Sequence, residues 1–391
     1  MFFSLAHQVN QNFPNNYNLG RLVLNTDNGW QQTTIGQCRF VYKGYIETMA
    51  WTPEVLIDIK DHQHQGNFLV FSFNQDTDII TLHTNQWRGF LIWHDPKISV
   101  SNLHHGPHTI WNDSTVTIDQ NLVVYESKID IIGDTDVVAR DRASVEHEID
   151  TMLRGRVDNF LTNNCLPVKV FCSGGVDTTL VWSYVQRSTQ QFELVLENRI
   201  QWDYFWGHNG RQIKKNFWGY TQIHHWLEPC VLTSGAPGDE FMLRSPTTCN
   251  LWCMYNDIDI FDLLAQGHGL HRDYFLKERH QQLFRQQQLD TSLDAVMRLT
   301  WKDFVWHLCN IVVNDCQHWH LGNTLTFTPL RDLEIFKLML SLPADDIKAQ
   351  ILNSTVSRSL IAKNNPAMLT LMSDSKNVGE YLSNMAQLMP R

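Results

Sequence analysis

The run Val168-Lys169-Val170-Phe171-Cys172-Ser173-Gly174-Gly175-Val176-Asp177-Thr178-Thr179-Leu180-Val181-Trp182 constrains the fold more than any other stretch. Val168 to Cys172 is short and mostly apolar, the pattern of a parallel strand covered on both faces. Gly174 and Gly175 permit positive φ and let a ligand come close to the backbone. Asp177, Thr178 and Thr179 follow at the opening of a helix, where free N–H groups and the positive dipole end favour an anion. Strand, glycine turn and helix together predict a phosphate cradle in an α/β domain with a parallel sheet. Ser173 adds a hydroxyl donor, and Asp177 a carboxylate able to hold Mg²⁺ against bound phosphates. The loop carries neither Gly-x-x-x-x-Gly-Lys-Ser/Thr nor Gly-x-Gly-x-x-Gly, which sets aside the Walker and dinucleotide fingerprints.

A second strand and turn follow some fifty residues later, in Cys230-Val231-Leu232-Thr233-Ser234-Gly235-Ala236-Pro237-Gly238-Asp239-Glu240-Phe241. Parallel sheets place ligands at the carboxyl ends of their strands, so the two turns are expected to face one crevice. The segment Trp202 to Trp226 between them is aromatic and His-rich, and reads as a surface excursion or a substrate-facing wall.

The first loop resembles the Ser-Gly-Gly-x-Asp-Ser/Thr loop of the PP-loop ATP pyrophosphatases, which cleave ATP between its α and β phosphates. The second is similar to the Ser-Gly-…-Asp-Glu motif of their asparagine-synthetase-like members. A third likeness is Thr328-Pro329-Leu330-Arg331-Asp332, followed by a helical Leu333 to Leu340 and Ser341-Leu342-Pro343, which resembles that family's Pro-Phe-Leu-Asp segment. Val145 to Leu161 has helical periodicity and matches the helix that precedes the ATP-binding strand in the family. The resemblance implies that Ser173, Gly174, Gly175, Asp177 and Thr178 hold pyrophosphate. Asp177 and Asp239 would hold Mg²⁺, and backbone near Phe171, Cys172, Ser234 and Gly235 the nucleotide. It implies ATP and Mg²⁺ as cofactors and Lys376 as the lysine that steadies the phosphates, with Lys363 and Arg358 as substitutes.

Residues 1–135 read as a separate, β-rich α+β domain with antiparallel sheets. Short runs at Arg21 to Leu24, Cys38 to Tyr42, Asn67 to Phe73, Ile79 to His83 and Phe90 to Trp93 alternate with turn signals, and Asn74 to Asp78 joins two of them as a hairpin. Pro53 to Lys60 is a candidate short helix. Ile131 to Val145 is polar and charged and reads as a linker into a second domain, 136–391. Lys43-Gly44-Tyr45-Ile46 and the hairpin 66–93 resemble, faintly, the glutamine-amidotransferase (Ntn-type) half of asparagine-synthetase-like enzymes. Two departures matter. The chain begins Met1-Phe2-Phe3 and lacks the family's nucleophilic cysteine after Met, and its Asn-Gly-Glu motif is gone. The domain is therefore expected to make no ammonia from glutamine, as in β-lactam-synthetase-like members. A glutamate and an arginine that precede Pro-Phe-Leu-Asp in asparagine synthetase are replaced by Leu325-Thr326-Phe327-Thr328, which argues against aspartate as substrate.

The function so implied is an ATP-dependent C–N ligase. A carboxylate or amide-like oxygen of a small molecule attacks the α-phosphate, pyrophosphate leaves, and an amine, ammonia or internal nucleophile displaces AMP. The same ATP chemistry on a nucleobase or nucleotide is an alternative, as is a non-catalytic nucleotide-binding descendant. A net charge of −10 over 391 residues argues against a large nucleic-acid partner. The eight cysteines show no Cys-x-x-Cys, which fits a reduced, cytoplasmic setting. Cys309, Cys316, His318 and His320 sit in a Trp-rich apolar stretch and read as core packing in preference to zinc ligands. No secretory signal or membrane-spanning run is apparent, and a homodimer is left open.

Overall fold

The computed structural model describes residues 3–47, 49–59, 64–84, 92–101, 108–110, 114–128, 138–189, 191–196, 205–206, 212–213, 229–235, 238–244, 324–370 and 372. The first part of the chain builds two six-stranded antiparallel sheets. One contains β1 (Phe3–Ala6), β2 (Asn15–Leu19), β3 (Leu22–Thr26), β8 (Ile92–Asp95), β9 (Ser99–Ser101) and β10 (His108–Ile110), in the order β10-β8-β9-β1-β3-β2. The other contains β4 (Gln31–Ile35), β5 (Cys38–Ile46), β6 (Gly66–Asn74), β7 (Ile79–Thr84), β11 (Ser114–Ile118) and β12 (Val124–Lys128), in the order β12-β11-β7-β6-β5-β4.

Alternation along β6 explains how this second sheet is covered twice. Leu69, Phe71 and Phe73 point into the layer shared with Phe3, Leu5, Leu24 and Val100 of the first sheet. Phe68 and Val70, one residue out of phase, pack outward with Phe40, Tyr42 and Leu56, the last from α1 (Pro53–Ile57). The expected hairpin after β6 is present, with Asn74 pairing Ile79. Strand β3 starts one residue later than the apolar run suggested. Gly20 turns the chain with φ +70, and Gln120 Oε1 takes the Arg21 N–H, which keeps Arg21 in the turn.

The later part builds a four-stranded, wholly parallel sheet. Its strands are β13 (Val168–Cys172), β14 (Phe192–Leu196), β17 (Cys230–Thr233) and β18 (Thr324–Phe327), ordered β14-β13-β17-β18. Between them, β15 (Phe205–Trp206) and β16 (Gln212–Ile213) form a small antiparallel pair. Among the described residues the helices of this part are α2 (Arg142–Asn163), α3 (Val176–Ser188), the single turn α4 (Gly238–Phe241), α5 (Leu333–Leu340), α6 (Ala344–Asn353) and α7 (Thr355–Asn364). Ile149, Leu153, Val157 and Phe160 place one stripe of α2 in the same core as Val170, Leu180, Phe327 and Phe336. Helix α2 starts at Arg142, earlier than apolar periodicity shows, because the Asp141 carboxylate caps it by accepting the Ser144 N–H at 2.9 Å. Among the described residues no helix is long and apolar enough to cross a membrane.

A buried ionic joint connects the antiparallel and parallel parts. Arg156 of α2 grips both Glu47 oxygens, at 2.6 and 2.9 Å, and reaches Asp332 Oδ2 at 2.9 Å. Gln65 donates to the same Asp332 oxygen at 2.6 Å, while Asp332 Oδ1 caps α5 through the Glu334 and Ile335 N–H groups. Burial works against the Arg156 charge, but the Glu47 and Asp332 carboxylates outweigh it and raise its pKa. Neighbouring Arg331 donates to the Gly66 carbonyl at 3.0 Å, and burial lowers its pKa to about 10. Alongside, Phe160 stacks on Phe327 at 4.0 Å, and the Tyr45 hydroxyl donates to the Thr326 carbonyl at 2.9 Å. The Pro329-to-Asp332 segment thus serves here as a joint between the two parts.

Candidate active site

Strand order places the candidate site. From β13 the chain passes through α3 to β14 on one side, whereas β17 and β18 lie on the other. In such a sheet the order reverses between β13 and β17, and ligands bind outside the carboxyl ends at that switch point. Both glycine turns leave the sheet there. Ser173, Gly174 and Gly175 follow the last residue of β13, and Ser234 and Gly235 follow the last residue of β17.

The first turn is braced by its own side chains. Gly174 has φ +85, a conformation that only glycine adopts without strain. Ser173 Oγ accepts the Gly175 N–H at 3.3 Å and lies 3.2 Å from Thr178 Oγ1. The Thr178 and Thr179 hydroxyls both donate to the Gly175 carbonyl, at 3.0 and 2.8 Å. Gly175 is the N-cap of α3 and offers no side-chain cap. The positive end of a 13-residue helix is therefore presented at the switch point without a built-in counter-ion at its cap. Phe171 and Cys172, at 3% and 2% exposure, sit beneath the turn as core residues, so only their backbone is placed to meet a ligand.

The second turn interlocks with the first. A Cβ on Gly235 would stand 2.3 Å from the Asp177 carbonyl carbon and 2.4 Å from the Thr178 nitrogen. A Cβ on Gly238 would stand 2.6 Å from Asp177 Cγ. The two glycines let the turns close on each other, which explains their spacing better than turn geometry alone. Gly235→Ala is accordingly expected to push the β17 turn off Asp177 and to cost about 1–3 kcal/mol. Thermal unfolding of that variant checks this, and an unchanged melting temperature would contradict the contact.

Asp177 is the charged centre of the assembly. It is 8% exposed, lies in the first turn of α3, and has two oxygens in unlike settings. Oδ2 accepts from Arg244 Nη1 at 2.5 Å, whereas Oδ1 is buried and meets no hydrogen-bond partner among the described residues. No family model and no curated protein matches this chain.

An unpartnered, buried carboxylate oxygen beside a helix N-terminus fits a cation carried by an anionic ligand. Left alone it is costly, by about 1–3 kcal/mol, and a metal is one of the few groups that relieves it. The backbone of Asp239 lies in α4, next to Gly238 and hence near Asp177, but its side chain falls outside the described residues. Among the described residues no group of three or more His, Cys, Asp and Glu gathers as a metal site. Lys376, Cys309, Cys316, His318, His320 and most of Trp202 to Trp226 also lie outside the described residues.

The two substitute cations are placed unequally. Helix α7 runs along α3, with Asn364 Nδ2 donating to Ser183 Oγ at 3.2 Å. Lys363 is exposed at that far end, away from Asp177, and is a poor substitute. Arg358 stands one turn into α7, half-buried, with its N–H on the Ser354 carbonyl at 2.8 Å. The cation that does meet Asp177 is Arg244, which carries no sequence signal beyond its position three residues after α4.

A cleft of about 1100 Å³ opens at the opposite, amino ends of β13, β14 and β17, lined by Lys169, Phe192 and Cys230 among others. Size does not make it the better candidate. Among the described residues it presents no helix N-terminus and no unpartnered buried charge, and open α/β sheets bind ligands at the other edge.

Proposed function

We propose that this chain is an ATP-dependent C–N ligase of the asparagine-synthetase-like, PP-loop type, acting at the carboxyl ends of β13 and β17. The observation that carries the reading is the buried, unpartnered Asp177 oxygen where the two glycine turns interlock. A bound magnesium–ATP supplies an electrophilic α-phosphorus and a pyrophosphate leaving group. The chain's own part is positioning and charge. The opening N–H groups of α3 and the Ser173 hydroxyl would receive anionic phosphate oxygens, and Thr178 would join them by turning its hydroxyl from the Gly175 carbonyl. Asp177, with Asp239 as its expected companion, takes the cation. Ser234 and Gly235 bound the nucleotide from the β17 side. A substrate carboxylate or amide-like oxygen would then be held in line with the α-phosphorus to displace pyrophosphate, and an amine or ammonia would displace AMP from the resulting adenylate.

Two facing antiparallel sheets in the first part are in keeping with a glutamine-amidotransferase-like ancestor that no longer hydrolyses glutamine. Its joint with the parallel part through Arg156 supports a structural role there. The test is pyrophosphate release from ATP by the full chain with Mg²⁺ and mixed pools of carboxylates and amines. Release that depends on both pools, with an amide-mass product, supports the reading. Absence of pyrophosphate with every pool would sink it.

A further inference from the structure

Arg244 is fixed at more than one point. Besides Asp177, it donates from Nε to Ser354 Oγ at 2.7 Å. Ser354 is itself immobilised between α6 and α7, in a left-handed conformation (φ +56), with its N–H on the Gln350 carbonyl at 2.7 Å. Gln350 is fully buried, donates to the Met242 carbonyl at 2.8 Å and accepts the Val356 N–H at 2.8 Å. The anchor of the arginine is thus tied back to the backbone just ahead of the arginine. On the far side, Gly238 closes over Asp177 Cβ and Cγ and restricts how the carboxylate can turn.

We propose that Arg244 is a positioning residue that makes Asp177 a one-oxygen metal ligand: it holds Oδ2, so that Oδ1 alone meets the cation of an incoming metal–triphosphate. The inference rests on the nucleotide reading above. Hydrogen-bonded partners of this kind orient a ligating carboxylate, and their loss weakens metal binding by about 10- to 100-fold. The guanidinium charge acts in the opposite sense, because a cation beside Asp177 repels a metal. The sign of the effect therefore decides the matter. Positioning predicts weaker metal binding when Arg244 is removed, and charge alone predicts tighter binding. Lysine keeps the charge without the planar fork, so it restores position only in part.

The experiment measures Mn²⁺ binding to the full chain by electron paramagnetic resonance with ATP present, and ATP binding by calorimetry with EDTA present. Melting temperatures are recorded for each variant. Arg244→Ala is expected to raise the Mn²⁺ half-saturation about 10- to 100-fold. Arg244→Lys and Ser354→Ala should shift it the same way by less. Added to Asp177→Asn, Arg244→Ala should change Mn²⁺ binding by less than about twofold, because both act through one carboxylate. Mn²⁺ binding that is unchanged or tighter in Arg244→Ala overturns the proposal, as does full additivity with Asp177→Asn. If Arg244→Ala does not fold, Ser354→Ala carries the same test, and wild-type Mn²⁺ binding in it overturns the proposal. A wild-type chain that binds neither ATP nor Mn²⁺–ATP removes the nucleotide reading as well, a result distinct from wild-type binding that ignores Arg244.

Discussion

Asp177→Asn is expected to lower magnesium-dependent pyrophosphate release by about 10³-fold, equivalent to about 4 kcal/mol of transition-state stabilisation. The substitution keeps the shape that fits under Gly238 and leaves one oxygen for Arg244. It removes the negative charge that would balance the metal while pyrophosphate departs. Stability should move much less, because two terms oppose each other. Breaking a charged pair costs up to about 3–5 kcal/mol when fully buried. Here both side chains keep some exposure, 16% for Arg244 and 12% for Asp177, and Ser354 retains its hold on the arginine. Loss of the carboxylate charge offsets part of that cost, although the amide N–H₂ that takes the Oδ1 position meets no partner among the described residues either. The net loss stays below about 3 kcal/mol, short of the 5–15 kcal/mol of a typical native state. Steady-state pyrophosphate assays and thermal unfolding on one preparation separate the two effects. Retention of activity within about tenfold would show that Asp177 is not the site's metal carboxylate.

The parts of the fold that were legible in the sequence are those with local causes. The strand, glycine turn and helix at 168–188 follow from an apolar run meeting two glycines, and Phe192–Leu196 and Leu333–Leu340 from mostly apolar runs broken only by Glu193 and by Glu334 and Lys337. Strand β18 was not legible, since Thr324-Leu325-Thr326-Phe327 has only two apolar residues and owes its place to pairing with Cys230–Thr233. Helix α6 was missed because its first turn is polar, although Pro343 followed by Asp345 and Asp346 is a helix-start signal. In the candidate site, the first turn could be read residue by residue. Arg244 could not, because its partner is 67 positions earlier and the contact exists only once Gly235 and Gly238 let the turns close. Charge pairs across long separations leave no periodic trace.

The joint at Arg156 makes the same point with a larger energetic consequence. Arg156→Met is expected to destabilise the chain by about 3–5 kcal/mol, because it strands two buried carboxylates. Glu47 and Asp332 have side-chain exposures of 5% and 0%, and lie 109 and 176 positions from Arg156. Methionine fills the volume of the arginine stem, so the loss reports charge and hydrogen bonds more than packing. Adding Glu47→Gln and Asp332→Asn to Arg156→Met should recover most of the loss. The amides carry no charge, and asparagine is still a good cap for α5. Denaturant unfolding of the single and triple variants measures both quantities. A single-variant loss below about 1 kcal/mol would mean that solvent reaches these carboxylates and that the joint is a surface pair. A large loss with recovery in the triple variant would mean that the antiparallel part is held to the parallel sheet by mutual neutralisation, through the Asp332 that also starts α5. The ionic cluster would then couple folding of the first part to the framework that sets the β13 and β17 turns.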